Sequence, residues 1–98
     1  MNDDGATVYM LKCADGSFYT GVTRRSLDDR LAEHADGLGG DYTRRRLPVS
    51  LVFASQFQRI SDAVATERQI KGWSRAKKQA LIDGDFVALK VLASRAEK

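Results

Sequence analysis

Thr7-Val8-Tyr9-Met10-Leu11 and Ser17-Phe18-Tyr19-Thr20-Gly21-Val22-Thr23, joined through Ala14-Asp15-Gly16, decide the reading of this chain. Both runs are rich in β-branched and aromatic residues, which suit a pleated, half-buried surface. Asp-Gly between two such runs signals a hairpin. The chain therefore opens with two antiparallel strands, and Tyr9 and Tyr19 can lie near each other on one sheet face. Two tyrosines on a hairpin are ordinarily cross-strand packing. Their hydroxyls can also act as acid, base or phosphate ligand. A free tyrosine ionises near about pH 10, so a base role requires help from a metal-bound water or a cation.

Outward from the hairpin, Ser26-Leu27-Asp28-Asp29 reads as a helix start, with Ser26 as cap and two carboxylates at the positive end of the helix dipole. Leu27, Leu31, Ala35 and Leu38 form its apolar stripe. Gly37 to Gly40 end it in a flexible loop, and Asp41 to Pro48 is polar, basic and non-periodic. The uncharged run from Val49 to Ala54 reads as a third, well-buried strand next to the opening hairpin. Ser61 is the expected cap of a helix running to about Lys71, with Gly72 as its terminator. Ser74 caps a shorter helix ending near Gly84, and Asp85 caps a last one from Phe86 to about Ala96. The order ββαβααα implies an α+β domain, a three-stranded antiparallel sheet with helices on it. The 98 residues read as a single domain.

Composition narrows the function. An apolar fraction of 43% and a charged fraction of 30% belong to a folded domain, not a disordered chain. One cysteine, Cys13, leaves no internal disulfide framework, and its apolar setting reads as a small core position. No apolar stretch is long enough to cross a bilayer, and Met1-Asn2-Asp3-Asp4 lacks the pattern of a signal peptide, so a cytoplasmic address is expected. Residues 1–40 hold four Lys and Arg against seven Asp and Glu, a balance of −3; residues 41–98 hold twelve against six, a balance of +6. The basic residues gather in Arg44-Arg45-Arg46 and in Arg68, Lys71, Arg75, Lys77 and Lys78. Such clusters suit a phosphate backbone, although Lys and Arg on helices are commonly only a solvated face.

Three sets of residues stand where packing alone would not put them. Glu67 is the i+4 member of an inward arc defined by Ala63, Val64 and Ile70. A carboxylate aimed at a core needs a metal ion or a buried cation; otherwise it lies on the rim and pairs with Lys71 one turn on. Arg30 and His34, at i and i+4, lie one above the other beside the Leu27/Leu31 stripe. A guanidinium there can grip a phosphate or simply pair with Glu33 or Asp29, and a histidine can move protons, bind phosphate, or be a half-buried surface residue. The tyrosine pair completes the set.

In this order these residues resemble the GIY-YIG nuclease family. The first strand reads Thr7-Val8-Tyr9, the second Tyr19-Thr20-Gly21; Arg30 and His34 follow on a helix, and Glu67-Arg68-Gln69-Ile70-Lys71-Gly72-Trp73 matches the helix that carries the family's metal-binding glutamate. The resemblance covers about residues 6–81. The stretch Tyr42-Thr43-Arg44-Arg45-Arg46-Leu47-Pro48-Val49 is similar to small stand-alone bacterial members of the YhbQ-like group, and to nuclease subunits that cut branched DNA. Thr7 replaces the first glycine, and Val22 stands where excision-repair members have lysine, so that branch fits less well.

The resemblance implies a metal-dependent DNA endonuclease, structure-selective and acting in repair or recombination. Glu67 would be the sole protein ligand to Mg²⁺ (or Mn²⁺), which would stabilise the leaving 3′-oxygen. Tyr9 would position or deprotonate the attacking water, Tyr19 would hold the water or a phosphate oxygen, and Arg30 would offset charge growing on the scissile phosphate. His34 would help Tyr9 lose its proton or bind the phosphate. Lys71, Arg44, Arg45 and Arg46 would contact flanking phosphates, and Gly21 would let the sheet approach the substrate closely. The implied partner is branched, damaged or single-stranded DNA, with RNA and a protein partner left open. Two other classes compete: a non-catalytic nucleic-acid-binding module, which needs neither Glu67 nor Tyr9, and a protein-interaction domain docking through Val87, Leu89, Val91 and Leu92 of the last helix.

Overall fold

The computed structural model describes residues 5–96, so the acidic start Met1 to Asp4 lies outside the described residues. Strands β1 (Ala6–Lys12) and β2 (Phe18–Thr23) are followed by helices α1 (Leu27–Ala35) and α2 (Asp41–Arg44), strand β3 (Ser50–Phe57), and helices α3 (Ile60–Lys71), α4 (Arg75–Asp83) and α5 (Phe86–Ala96). The α+β class holds. The order is ββααβααα, because one helical turn forms in the segment expected to be irregular. Four residues are too few for an apolar period to be visible, and this turn is fixed by tertiary contacts described below.

The sheet is antiparallel with order β2-β1-β3. The hairpin forms as expected. Asp15 Oδ1 accepts from the Ser17 amide at 3.0 Å and from the Ser17 hydroxyl at 2.6 Å, and Gly16 supplies the left-handed residue at φ 86°. β1 is the central strand and is buried from Ala6 to Leu11. β3, expected to be well buried, is instead an edge strand whose residues are half-buried or exposed, with Leu51 40% exposed. An uncharged run does not distinguish a central strand from an edge strand; the number of strand neighbours does, and β3 has one.

Side chains alternate across a strand. Ala6, Val8 and Met10 of β1 point to the layer of α3, where they form the core with Ala63 and Ile70. Thr7, Tyr9 and Leu11 therefore point to the opposite face. α3 lies over β2 and β1, and Phe18, Val22, Phe53, Trp73 and Leu81 close the core around it.

Side chains cap the starts of α1, α4 and α5, while α2 and α3 start without one. Ser26 Oγ accepts from the Asp29 amide at 3.0 Å, Ser74 Oγ from the Lys77 amide at 3.2 Å, and Asp85 Oδ1 from the Ala88 amide at 3.0 Å. Gly84 ends α4 in the left-handed conformation at φ 70°. Ser61 does not cap α3. The helix starts one residue earlier, at Ile60, after Arg59 in extended conformation, and Gly72 ends it at φ −84°, without a left-handed turn. In α1, Leu27 and Leu31 are only half-buried and Ala35 and Leu38 are exposed. The buried residue of that helix is His34.

Candidate active site

Tyr9, in the middle of the central strand, is fully buried, and its strand partner on β2 is Gly21. A Cβ at Gly21 would stand 2.6 Å from both Cζ and the hydroxyl oxygen of Tyr9. The glycine of Tyr19-Thr20-Gly21 is thus the space that the Tyr9 ring occupies. Gly21 is itself buried, and its lack of a side chain serves the packing of Tyr9. Tyr19, two residues before Gly21, lies on the same face. Its ring centroid is 6.4 Å from that of Tyr9 and 5.4 Å from that of His34.

α1 delivers Arg30 and His34 to this face. His34 is fully buried, with Nε2 at 2.9 Å from the Tyr9 hydroxyl and Nδ1 at 2.9 Å from Thr43 Oγ1. Arg30 Nε donates to the Tyr9 hydroxyl at 3.2 Å, Nη1 donates to Glu33 at 2.8 Å, and Nη2 to the Gly39 carbonyl at 3.4 Å. The surface pairing with Glu33 and the inward contact with Tyr9 therefore coexist. Glu33 is shared with Arg25, and the two guanidiniums hold its carboxyl below the ordinary range. Burial raises the Tyr9 pKa above its usual value, with Arg30 opposing. Burial, then the Arg30 charge, lower that of His34. Near pH 7 the free protein thus holds Tyr9 protonated and His34 neutral.

Three residues of this cluster were not among the sequence candidates. Thr43, fully buried on α2, partners the second nitrogen of His34. Tyr42 stacks on Tyr19, with ring centroids 6.0 Å apart. Gly39 abuts the imidazole so closely that any Cβ there would overlap the His34 ring. The loop read as a flexible helix terminator is in part the wall of the site. No signal in the sequence marked Thr43 or Gly39 individually, because their function lies in contacts nine and five residues away along the chain.

Glu67 is buried at 7% exposure on the sheet-facing side of α3, with Ala63 and Ile70. Val64, counted in that arc, is half-buried. Lys71 Nζ lies 2.5 Å from Glu67 Oε2, so the inward and the rim-pairing readings of Glu67 are both realised. The structure brings Tyr9, Tyr19, Arg30 and His34 into contact and sets Glu67 apart, in the layer on the other face of the sheet. β2 is an edge strand. A ligand along its outer edge has Tyr19 on one side and α3 on the other. On the α3 side the buried Glu67 carboxylate is a hard oxygen donor of the kind a divalent cation takes, and on the same face of β2 the buried Thr20 Oγ1 has no hydrogen-bond partner. One carboxylate plus waters and a substrate phosphate is an ordinary Mg²⁺ arrangement.

The basic residues divide into two kinds. Arg44 and Arg45 are exposed and face Asp41 of their own turn, at 2.5 and 3.9 Å. Arg46 is tied down: Nε donates to Asp15 at 3.0 Å, Nη1 to the Tyr42 carbonyl at 3.0 Å, and its guanidinium lies 3.7 Å over the Tyr42 ring. Arg75 donates to the Gly16 carbonyl at 2.7 Å, and Lys77 is buried over Trp73 at 4.5 Å. Arg46, Arg75 and Lys77 thus serve the fold directly.

A three-stranded sheet with Tyr9 under the Gly21 gap, an arginine and histidine from the next helix, and a buried glutamate on α3 defines a GIY-YIG domain. The model of the GIY-YIG catalytic domain matches residues 5–80, and the chain belongs to that nuclease family. It is 48% identical over 75 residues to a UPF0213 protein of Natronomonas pharaonis, covering 76% of this chain and 87% of that one. To a UPF0213 protein of Staphylococcus saprophyticus it is 43% identical over 75 residues, with 76% and 90% covered. Among solved structures, the solution NMR structure of a UPF0213 protein from Bacillus halodurans superposes with a TM-score of 0.54 at 42% identity, covering 81% of this chain and 83% of that one. The NMR structure of a protein from E. faecalis gives 0.59 at 35% identity, covering 88% and 91%. Among the described residues no helix is long and apolar enough to cross a membrane.

Proposed function

We propose that this protein is a metal-dependent endonuclease that hydrolyses phosphodiester bonds in DNA, selects its substrate by structure, and serves DNA repair or recombination. The observation that carries the reading is the Tyr9 hydroxyl, fully buried and held between the Arg30 guanidinium at 3.2 Å and the His34 imidazole at 2.9 Å. A buried hydroxyl needs an acceptor for its proton in any case; the guanidinium on the same oxygen is what a hydroxyl needed only for packing does not require.

Tyr9 acts as general base towards the attacking water after passing its own proton to His34 Nε2. Arg30 then stabilises the phenolate at its Nε and offsets charge on the scissile phosphate through the N–H groups of Nη1 and Nη2 that Glu33 and Gly39 leave over. His34 acts on Tyr9 and not on the phosphate, since its two ring nitrogens are taken by Tyr9 on one side and Thr43 on the other. Tyr19, half-buried at the mouth beside Tyr42, holds the water or a phosphate oxygen. Glu67 would hold the divalent ion, Mg²⁺ or Mn²⁺, which would supply Lewis-acid stabilisation of the phosphoryl group and the leaving oxygen. Lys71, half-exposed, keeps the carboxylate paired and offers its ammonium to a flanking phosphate. Arg44 and Arg45 grip the backbone, and that grip carries no sequence information.

Labelled single-stranded, duplex, flapped and four-way-junction DNA incubated with Mg²⁺ or EDTA, beside Glu67→Ala, tests this reading. Cleavage by the wild type that disappears with EDTA and with Glu67→Ala is expected, strongest on one branched or single-stranded form. Salt-sensitive binding equal in both proteins, with no cleavage of any substrate, would replace the nuclease by a binding module.

A further inference from the structure

The neighbours of His34 determine which of its nitrogens carries the proton. Arg30 has only donors, so its contact with the Tyr9 oxygen makes that oxygen an acceptor. The Tyr9 proton must then go to His34 Nε2, 2.9 Å away. Were Nε2 protonated, two donors would converge on one oxygen, and the O–H of a fully buried tyrosine would lose its acceptor. A bare Nε2 in neutral imidazole places the hydrogen on Nδ1, where Thr43 Oγ1 accepts it at 2.9 Å. Thr43 is fully buried, which leaves that acceptor position to its hydroxyl.

Thr43 is also rigidly held. Its carbonyl accepts from the Arg46 amide at 2.9 Å, the Arg46 carbonyl accepts from the Ala14 amide at 2.9 Å, and the Arg46 side chain is fixed by Asp15. The turn of the opening hairpin thereby positions a hydroxyl on the far side of His34. We infer that Thr43 is a positioning residue that holds His34 as its Nδ1–H tautomer and so keeps Nε2 open to the Tyr9 proton.

The catalytic consequence rests on the nuclease reading above; the tautomer does not. In that reaction the Tyr9 O–H bond breaks as Nε2–H forms, giving phenolate and imidazolium. The phenolate takes a proton from the attacking water, whose oxygen bonds to phosphorus while the bond to the leaving oxygen breaks. The leaving oxygen takes up a proton from solvent and the imidazolium returns one, so one water is consumed. Thr43 Oγ1 accepts from Nδ1–H before and after the transfer, and nothing on that side has to rearrange.

His34 is the only histidine in the chain, so ¹⁵N-histidine labelling gives one imidazole to observe. In the free wild type near neutral pH, Nδ1 is expected to be the protonated nitrogen and Nε2 the bare one. Thr43→Val should move population to the Nε2–H tautomer and slow single-turnover cleavage about 10- to 100-fold, at or below the low end of what proton transfer contributes, with DNA affinity unchanged. Thr43→Ser should restore both. A wild-type His34 protonated at Nε2 overturns the inference even if no variant folds. So does a folded Thr43→Val protein that keeps the Nδ1–H tautomer, or one with the altered tautomer that cuts at the wild-type rate. A wild type that shows the expected tautomer and cuts no DNA upholds the tautomer and removes the nuclease reading.

Discussion

At the scale of single residues, the site is a buried hydrogen-bonded chain from Arg30 through Tyr9 and His34 to Thr43. Its protonation predicts a pH dependence. His34 has a lower pKa in the fold than its ordinary value of about 6.5. As pH falls below that value, the unfolded chain takes up the proton first, and stability drops. Denaturant midpoints should therefore fall between pH 7.5 and 5.5 in the wild type, and fall less in His34→Gln; equal falls would show that His34 is not buried neutral. The acid limb of cleavage should likewise lie below about pH 6.5. Gly39→Ala should destabilise the domain by about 1–3 kcal/mol, the usual range for forcing extra volume into a packed site, because its methyl would overlap the imidazole; an unchanged thermal midpoint would contradict that packing. Tyr9, Tyr19, Arg30 and His34 were legible because strand alternation and the i, i+4 helix spacing already place them. Thr43 was not, because a lone threonine in a basic loop looks the same whether it faces water or an imidazole.

At the scale of elements, α2 is the piece that sequence periodicity does not reveal and that the site depends on. It is one turn long, and tertiary contacts hold it: Thr43 against His34, Arg46 against Asp15 and Tyr42. This separates three neighbouring arginines by role. Arg44→Ala or Arg45→Ala should weaken DNA binding, reduce the slope of log affinity against log salt by about 1, and leave the single-turnover rate intact. Arg46→Ala should also lower that rate and speed amide hydrogen exchange in α2, because it frees the turn that carries Thr43. Identical behaviour of all three variants would mean that α2 is held by other contacts. α3 shows the opposite case: Glu67 could be read from its arc between Ala63 and Ile70, while the helix start, one residue before Ser61, could not, since no side chain caps it.

At the scale of the whole molecule, the sheet separates two half-sites. The tyrosine–histidine–arginine chain lies on one face, and Glu67 on the helix covering the other. Pattern alone gave the α+β class, the hairpin and the order of the long elements, because each carries its own periodicity. It found β3 but overestimated its burial, because burial of a strand is set by its neighbours in the finished sheet. A substrate phosphate at the β2 edge is what would unite the two half-sites. The most direct test of that account is Tyr9→Phe, which keeps the ring over Gly21 and removes one oxygen. Single-turnover cleavage of the preferred DNA at saturating enzyme and Mg²⁺ should fall at least about 100-fold, with the dissociation constant for DNA unchanged. Cleavage by Tyr9→Phe at the wild-type rate would contradict the account, because the hydroxyl between Arg30 and His34 would then have no part in the chemistry.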